Sequence, residues 1–210
     1  IMILNSKKIF LLIFFGFISS VLLINNNLNK YDKNILSEDG EYYHQMIKAD
    51  ARRYMSHGNM IKDQLKNGKN FFETGKEHFT KYLPARIAAL YYYISDNDLF
   101  NSNDKDKINL GIHFGYLFFQ SLLYFFSLTI LYLSINKTFN NKICFCLILF
   151  LCFEPTINQY HSSFWSESYL FSIIVILTAL IIKPNIGKFS FFLIGIFLGV
   201  LTLHKEYAIF

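Results

Sequence analysis

"LGIHFGYLFFQSLLYFFSLTILYLSI", residues 110–135, contains no Asp, Glu, Lys or Arg. Crossing the hydrocarbon core of a bilayer takes roughly 20 predominantly apolar residues, so this stretch alone is long enough to span one. Four other runs share its character, at 9–24, 143–153, 164–182 and 189–203, and Glu167 is the only acid in any of the five. The run 164–182 also meets the length directly, while 9–24 and 189–203 must borrow flanking residues. The run 143–153 is long enough only if its helix continues through Glu154 and Pro155 to about Tyr160.

Composition agrees with that reading. The 210 residues are 53% hydrophobic and 17% charged, with 24 Phe and 14 Tyr, where a soluble domain carries about 25% charged residues. A single short apolar run can be the core helix of a globular protein. Five Phe-rich runs without alternation leave too little polar surface to cover a soluble fold. The expected fold is all-α: a polytopic transmembrane helix bundle of about five spans with a helical extracytoplasmic first loop. Residues 1–24 form the first anchor, 25–109 the outer loop, and 110–210 the remaining bundle. Because the chain stops at or just after its fifth run, a longer parent polypeptide is expected. The first run has a basic start like a signal peptide but no small-residue cleavage site, so an uncleaved anchor is the better reading.

Charges set the orientation. Lys7 and Lys8 precede the first run, Lys137 and Lys142 separate the second and third, and Lys183 and Lys188 separate the fourth and fifth, with no acid in any of these segments. The positive-inside rule places all three in the cytoplasm of a cell whose plasma (inner) membrane the chain crosses. The segment 154–163 and the long segment 25–110 then lie outside; the latter holds nearly as many acids as bases, and loops of that length translocate regardless of charge. The net charge of +5 therefore reflects cytoplasmic anchors, and nucleic acid is not an expected partner. Cys144, Cys146 and Cys152 all fall in the third run, where they read as small packing residues rather than a zinc or disulfide set.

Within the outer loop, Asp39 can cap a helix running to about Ser56, with His57-Gly58-Asn59 as its stop. A second helix starts at Pro84, a favoured first position, and continues through "ARIAALYYYI". Both would lie flat on the outer surface, with aromatic side chains at headgroup level. Ionisable residues gather at the same side: Asp39, Glu154, His161, Glu167 about one turn inside the fourth run, and His204, Lys205 and Glu206. For His161, His204 and Glu206 the plain expectation is that they reach out to water. Glu167 calls for a place in the bundle or a cavity, since a lipid-facing carboxylate costs about 2.5–3.5 kcal/mol at mid-bilayer. Acids and bases at one mouth suit a lipid-borne polar headgroup, a carboxylate accepting a proton and cations holding a phosphate.

The doublet in "SEDGEYYHQM" after a first span, followed by an amphipathic outer loop, resembles the GT-C superfamily of membrane glycosyltransferases, of the protein O-mannosyltransferase and aminoarabinose transferase type. "FEPTINQYHSSFWSESYLFSIIVILTAL" resembles that family's passage from third to fourth span, and "FLIGIFLGVLTLHKEYAIF" its fifth. The resemblance implies transfer of a sugar, with inversion, from a polyprenyl-phosphate carrier to a glycan, lipid or protein acceptor at the outer face. It implies a catalytic base at Asp39, with Glu38 as competitor. It further implies lipid-phosphate binding by Lys81 and Arg86 near Pro84 and by Lys205. No cofactor is expected, and a divalent metal is left open with no ligand set assigned. The alternative from another class is a non-catalytic membrane protein, a transporter piece or an assembly subunit. A transporter is expected to break its helices near the midplane and place polar residues there; here the polar groups sit at the outer rim, and Gln120 and His113 of the second run are the only deeper hints.

Overall fold

The computed structural model describes residues 6–35, 50–74, 83–96, 110–164, 167–183 and 186–204, and every regular element among them is an α-helix. In chain order these are α1 (Ser6–Ile35), α2 (Asp50–Lys66), α3 (Leu83–Ile94), α4 (Leu110–Ile135), α5 (Asn141–Phe153), α6 (Pro155–His161), α7 (Glu167–Ile182) and α8 (Lys188–His204). Among the described residues two helices are long and apolar enough to cross a membrane, α1 over Ser6–Asn29 and α4 over Ile112–Ile135. The bent pair α5–α6 makes a third if taken as one span. Helices α7 and α8, of 16 and 17 residues, are shorter than the roughly 20 residues a span takes. The described residues are thus all-helical, with two or three helices able to cross a membrane, which suggests a membrane protein; five full spans are not reached on helix length.

Register follows from the contacts. Helix α1 runs antiparallel to α4: Phe10 meets Tyr132, Phe17 meets Phe125 and Ser20 meets Ser121, partner numbers falling as those of α1 rise. Helix α5 returns alongside, with Cys144 clustered near Ile135 and the Tyr124 hydroxyl donating to the Leu151 carbonyl at 2.9 Å. Helix α7 then descends parallel to α4, its most extensive neighbour, with Tyr169 beside Tyr116 and Ala179 in the cluster that holds Ile135. Helix α8 packs on α7 and reaches α3. In lipid the hydrophobic effect does not press helices together, so close van der Waals contact and polar pairs must. Gly16 answers that need: a Cβ there would stand 2.8 Å from Phe125 and 3.0 Å from Cys152. Phe14, Phe15, Phe126, Phe150, Phe191 and Phe192 point outward instead, as lipid-facing side chains do.

This path brings six exposed lysines, Lys7, Lys8, Lys137, Lys142, Lys183 and Lys188, to the Ile135 end of the bundle. At the Leu110 end lies the α2–α3 layer. The small side chains of Ala85 and Ala89 on α3 let α2 approach with Ile61 and Leu65. Tyr92 and Ala88 turn the other way, into a cluster with Tyr116, Leu117 and Ile24. Tyr91 donates from its hydroxyl to the Ile112 carbonyl at 3.0 Å, close over Gly115, where a Cβ would collide with that hydroxyl.

Three local expectations are corrected. Helix α2 does not stop at His57-Gly58-Asn59: Gly58 is buried within it and the helix runs on to Lys66. It ends where Gly68 takes φ +81°, the left-handed conformation that only glycine adopts without penalty, and where the Gly68 and Lys69 amides donate back to Leu65 and Gln64. The third run does not continue straight through Pro155: α5 and α6 meet at 53°. Proline lacks the amide that would donate across the junction, and Glu154 closes one helix and opens the next. At the start of the fourth run, Ser162, Ser163 and Phe164 form a buried turn and α7 is described from Glu167.

Candidate functional site

Of the side chains assigned by sequence, Asp39 and Glu38 lie between α1 and α2, outside the described residues, as do Lys81 and Lys205. Their assignments rest on the sequence. Arg86 and Glu167 are described, and both are half-buried.

Arg86 sits in the first turn of α3. Its guanidinium donates to the carbonyls of Phe71, at 2.6 Å, and Thr74, at 2.8 Å, and lies 5.4 Å from the centre of the Phe71 ring. A planar fork can serve two carbonyls at once, and here it ties the 71–74 turn to α3. Two of the five guanidinium N–H groups are accounted for by these bonds. Burial pulls the Arg86 pKa below its ordinary value. At the far end of the same layer the exposed Asp96 carboxylate accepts from Lys66 at 2.9 Å, and that bond holds Asp96 below the usual carboxylate range. Tyr91, partly buried against α4, has its phenol pushed up by desolvation.

Glu167 opens α7 rather than lying a turn inside it. The first turn of a helix presents unsatisfied amides and the positive end of the macrodipole, which favour a carboxylate. A carboxylate at this half-buried place in an apolar stretch is favoured by that helix end.

The structure adds a buried polar cluster that the sequence indicated only through Gln120 and His113. Gln120, eleven residues into α4, is 1% exposed. Its amide nitrogen donates to the carbonyls of Tyr160 and Ser163, each at 3.0 Å, and faces that of His161 at 3.5 Å. These carbonyls belong to the last turn of α6 and the turn beyond it, where a helix leaves its acceptors unpaired. Asn27 of α1 reaches the same turn, donating to the Ser162 carbonyl at 3.3 Å. His161 itself is fully buried, not turned to water. Its ring stacks on Tyr124 with centroids 3.8 Å apart, and its Nδ1 pairs with the Ser168 hydroxyl. Along α4 toward Leu110, His113 pairs through Nδ1 with the Tyr92 hydroxyl.

Four helices thus bring polar side chains to one level of the bundle, about two thirds of the way up α4 from its Ile135 end. The Gln120 Oε1 and His161 Nε2 atoms are buried and have no hydrogen-bond partner among the described residues. A buried polar atom left so costs about 1–3 kcal/mol, so this level of the bundle is where polarity is retained against stability. Its position, polar and deep in an apolar run, marks Gln120 in the sequence. No such position marks His161, because only the bend at Pro155 carries it inward.

Among the described residues no group of three or more His, Cys, Asp or Glu side chains is placed to hold a metal ion. Comparison with protein-family models, with characterised proteins and with solved structures returns no match.

Proposed function

We propose that this chain belongs to a membrane glycosyltransferase of the GT-C type, which moves a sugar from a polyprenyl-phosphate carrier to an acceptor at the outer face with inversion. The observation that carries the reading is the α2–α3 layer, a two-helix unit inserted between two membrane-length helices and locked to one end of the bundle. That is the element order of the family's first outer loop, and the doublet Glu38-Asp39 enters it directly after α1. In this reading five helical passages cross the plasma membrane with the N-terminus cytoplasmic. Asp39, or Glu38 in its place, takes the proton of the acceptor. Lys81, Lys205 and the remaining N–H donors of Arg86 meet the departing lipid phosphate, and Glu167 faces the cavity.

A positioned general base is worth about 10²–10⁴ in rate. In proteoliposomes supplied with a polyprenyl-phosphate sugar, Asp39→Asn is expected to lose transfer by that order while inserting normally. Loss with Glu38→Gln alone reassigns the base; transfer unchanged in both variants removes the catalytic reading.

The broken helix supports a second reading, a transport role. The α5–α6 bend with Gln120 and His161 beside it matches what a solute pathway needs, a helix interrupted within the membrane and lined by polar groups. Uptake into sealed vesicles that is abolished by Gln120→Leu, with no sugar transfer by the parent chain, would establish it instead.

A further inference from the structure

Among the described residues, the α2–α3 layer carries one edge of exposed large apolar side chains. Ile61, Ala85, Ala88, Ala89 and Tyr92 are buried, and Tyr91 is half-buried against α4. Leu83 and Ile87 are half-buried too, while Leu90 at 43%, Tyr93 at 41% and Ile94 at 75% are exposed together. Their spacing of three and four residues puts them on one helix face. Phe72, 79% exposed, adjoins the turn that Arg86 fastens to the start of the same helix.

Two observations fix what covers this edge. The first is its level. Tyr91 is bonded to Ile112 and Tyr92 to His113, and Ile112 is the first residue of the apolar window of α4. Helix α3 is therefore pinned to the first turn of a membrane-length helix, where hydrocarbon gives way to headgroups. The second is the distribution of charge. Asp63 and Lys66 lie exposed on α2, whereas the exposed side chains of α3 itself include no Asp, Glu, Lys or Arg; Glu73 beside Phe72 and Asp96 just past Ile94 mark the two ends of the apolar edge.

We propose that the α3 edge formed by Phe72, Leu90, Tyr93 and Ile94 is inserted into the lipid interface, with α2 riding above it in water. The partner is the bilayer surface itself. Of the three consecutive tyrosines only Tyr93 is a membrane anchor; Tyr91 and Tyr92 are bundle contacts. This differs from two helices lying side by side on the membrane, and it holds whether the bundle transfers sugar or transports a solute.

The test uses the full chain in phosphatidylcholine vesicles, with Trp165, the single native tryptophan, replaced by Phe. Ile94→Trp and Phe72→Trp are then made separately, with Asp63→Trp as the aqueous reference. Interfacial helices bury their apolar face by about 5–10 Å. Tryptophan at 94 and at 72 is therefore expected to lose emission with lipids spin-labelled high on the acyl chain and to keep it in aqueous iodide; tryptophan at 63 should show the reverse. Iodide quenching at both 94 and 72 overturns the proposal. So does resistance to both quenchers at both positions, which would mean that protein rather than lipid covers the edge. Neither readout depends on catalysis.

Discussion

Gln120 shows how one side chain decides a local structure that no apolar pattern specifies. Its amide serves carbonyls at the end of α6, and leucine of similar volume would leave them buried and unpaired. Gln120→Leu is therefore expected to lower stability by about 1–3 kcal/mol, read as a lower midpoint in a detergent-titrated thermal melt; an unchanged midpoint would mean that water serves those carbonyls. Asp96 carries a different lesson. It stands at φ +50°, a conformation that costs an L-residue and not glycine, while its ion pair with Lys66 is exposed and contributes little. Asp96→Gly is expected to match or exceed the parent at pH 7. The Asp96 pKa is depressed in the folded state, so its contribution is present above the unfolded carboxylate value and fades as pH falls through the folded one. In acid the parent should therefore lose this small advantage, and Asp96→Gly should not. A midpoint difference between the two that is independent of pH would show that the Lys66 pair does not govern that titration. The sequence made Gln120 legible as a misfit, but the left-handed turn at Asp96 and the burial of His161 come from tertiary placement, which spacing does not encode.

Among the elements, those with a local cause were the most legible. Helix α3 begins at Leu83 with Pro84 in its first turn and runs through the three tyrosines, as the proline and the apolar pattern predict. The end of α2 falls later than the sequence suggests, because Gly58 reads as a stop but is buried within the helix, and the real stop is Gly68. Each glycine must be judged by what surrounds it, and this gives a paired prediction. Gly16 packs into the α1–α4–α5 junction, while a Cβ on Gly195 of α8 would meet nothing within 4 Å. Overpacking a filled site costs about 1–3 kcal/mol, so Gly16→Ala should destabilise the bundle by that order. Gly195→Ala should be neutral or slightly stabilising through helix propensity. Equal effects at the two sites, measured by the same melt, would mean that the α1–α4–α5 junction yields without strain.

At the scale of the whole molecule the question is whether α7 and α8 cross the bilayer. Their lengths fall short, yet α7 leaves Tyr116 at its start and reaches the cluster of Ile135 and Cys144 at Ala179. Sixteen residues cover about 24 Å, most of a hydrocarbon core of about 30 Å, and the buried turn at Ser162–Phe164 fills the rest of that level with protein. Helix α8 returns far enough to touch α3. Both helices therefore run along most of the bundle, although neither described helix meets the span length alone. The orientation proposed above then makes a prediction: Thr138 and Gly187 should share one face of the membrane, and Asp96 should lie on the other. In a cysteine-free background, with Cys144, Cys146 and Cys152 replaced by Ala, single cysteines at these three positions can be labelled with an impermeant maleimide in vesicles of each orientation. Positions 138 and 187 are expected to react only from the side that the lysines face, the cytoplasm by the positive-inside rule, and position 96 only from the opposite side. Reaction of 187 together with 96 would turn α7 and α8 into a re-entrant pair. The same result would separate Lys183 and Lys188 from the other four lysines, and the proposed orientation would fall with it.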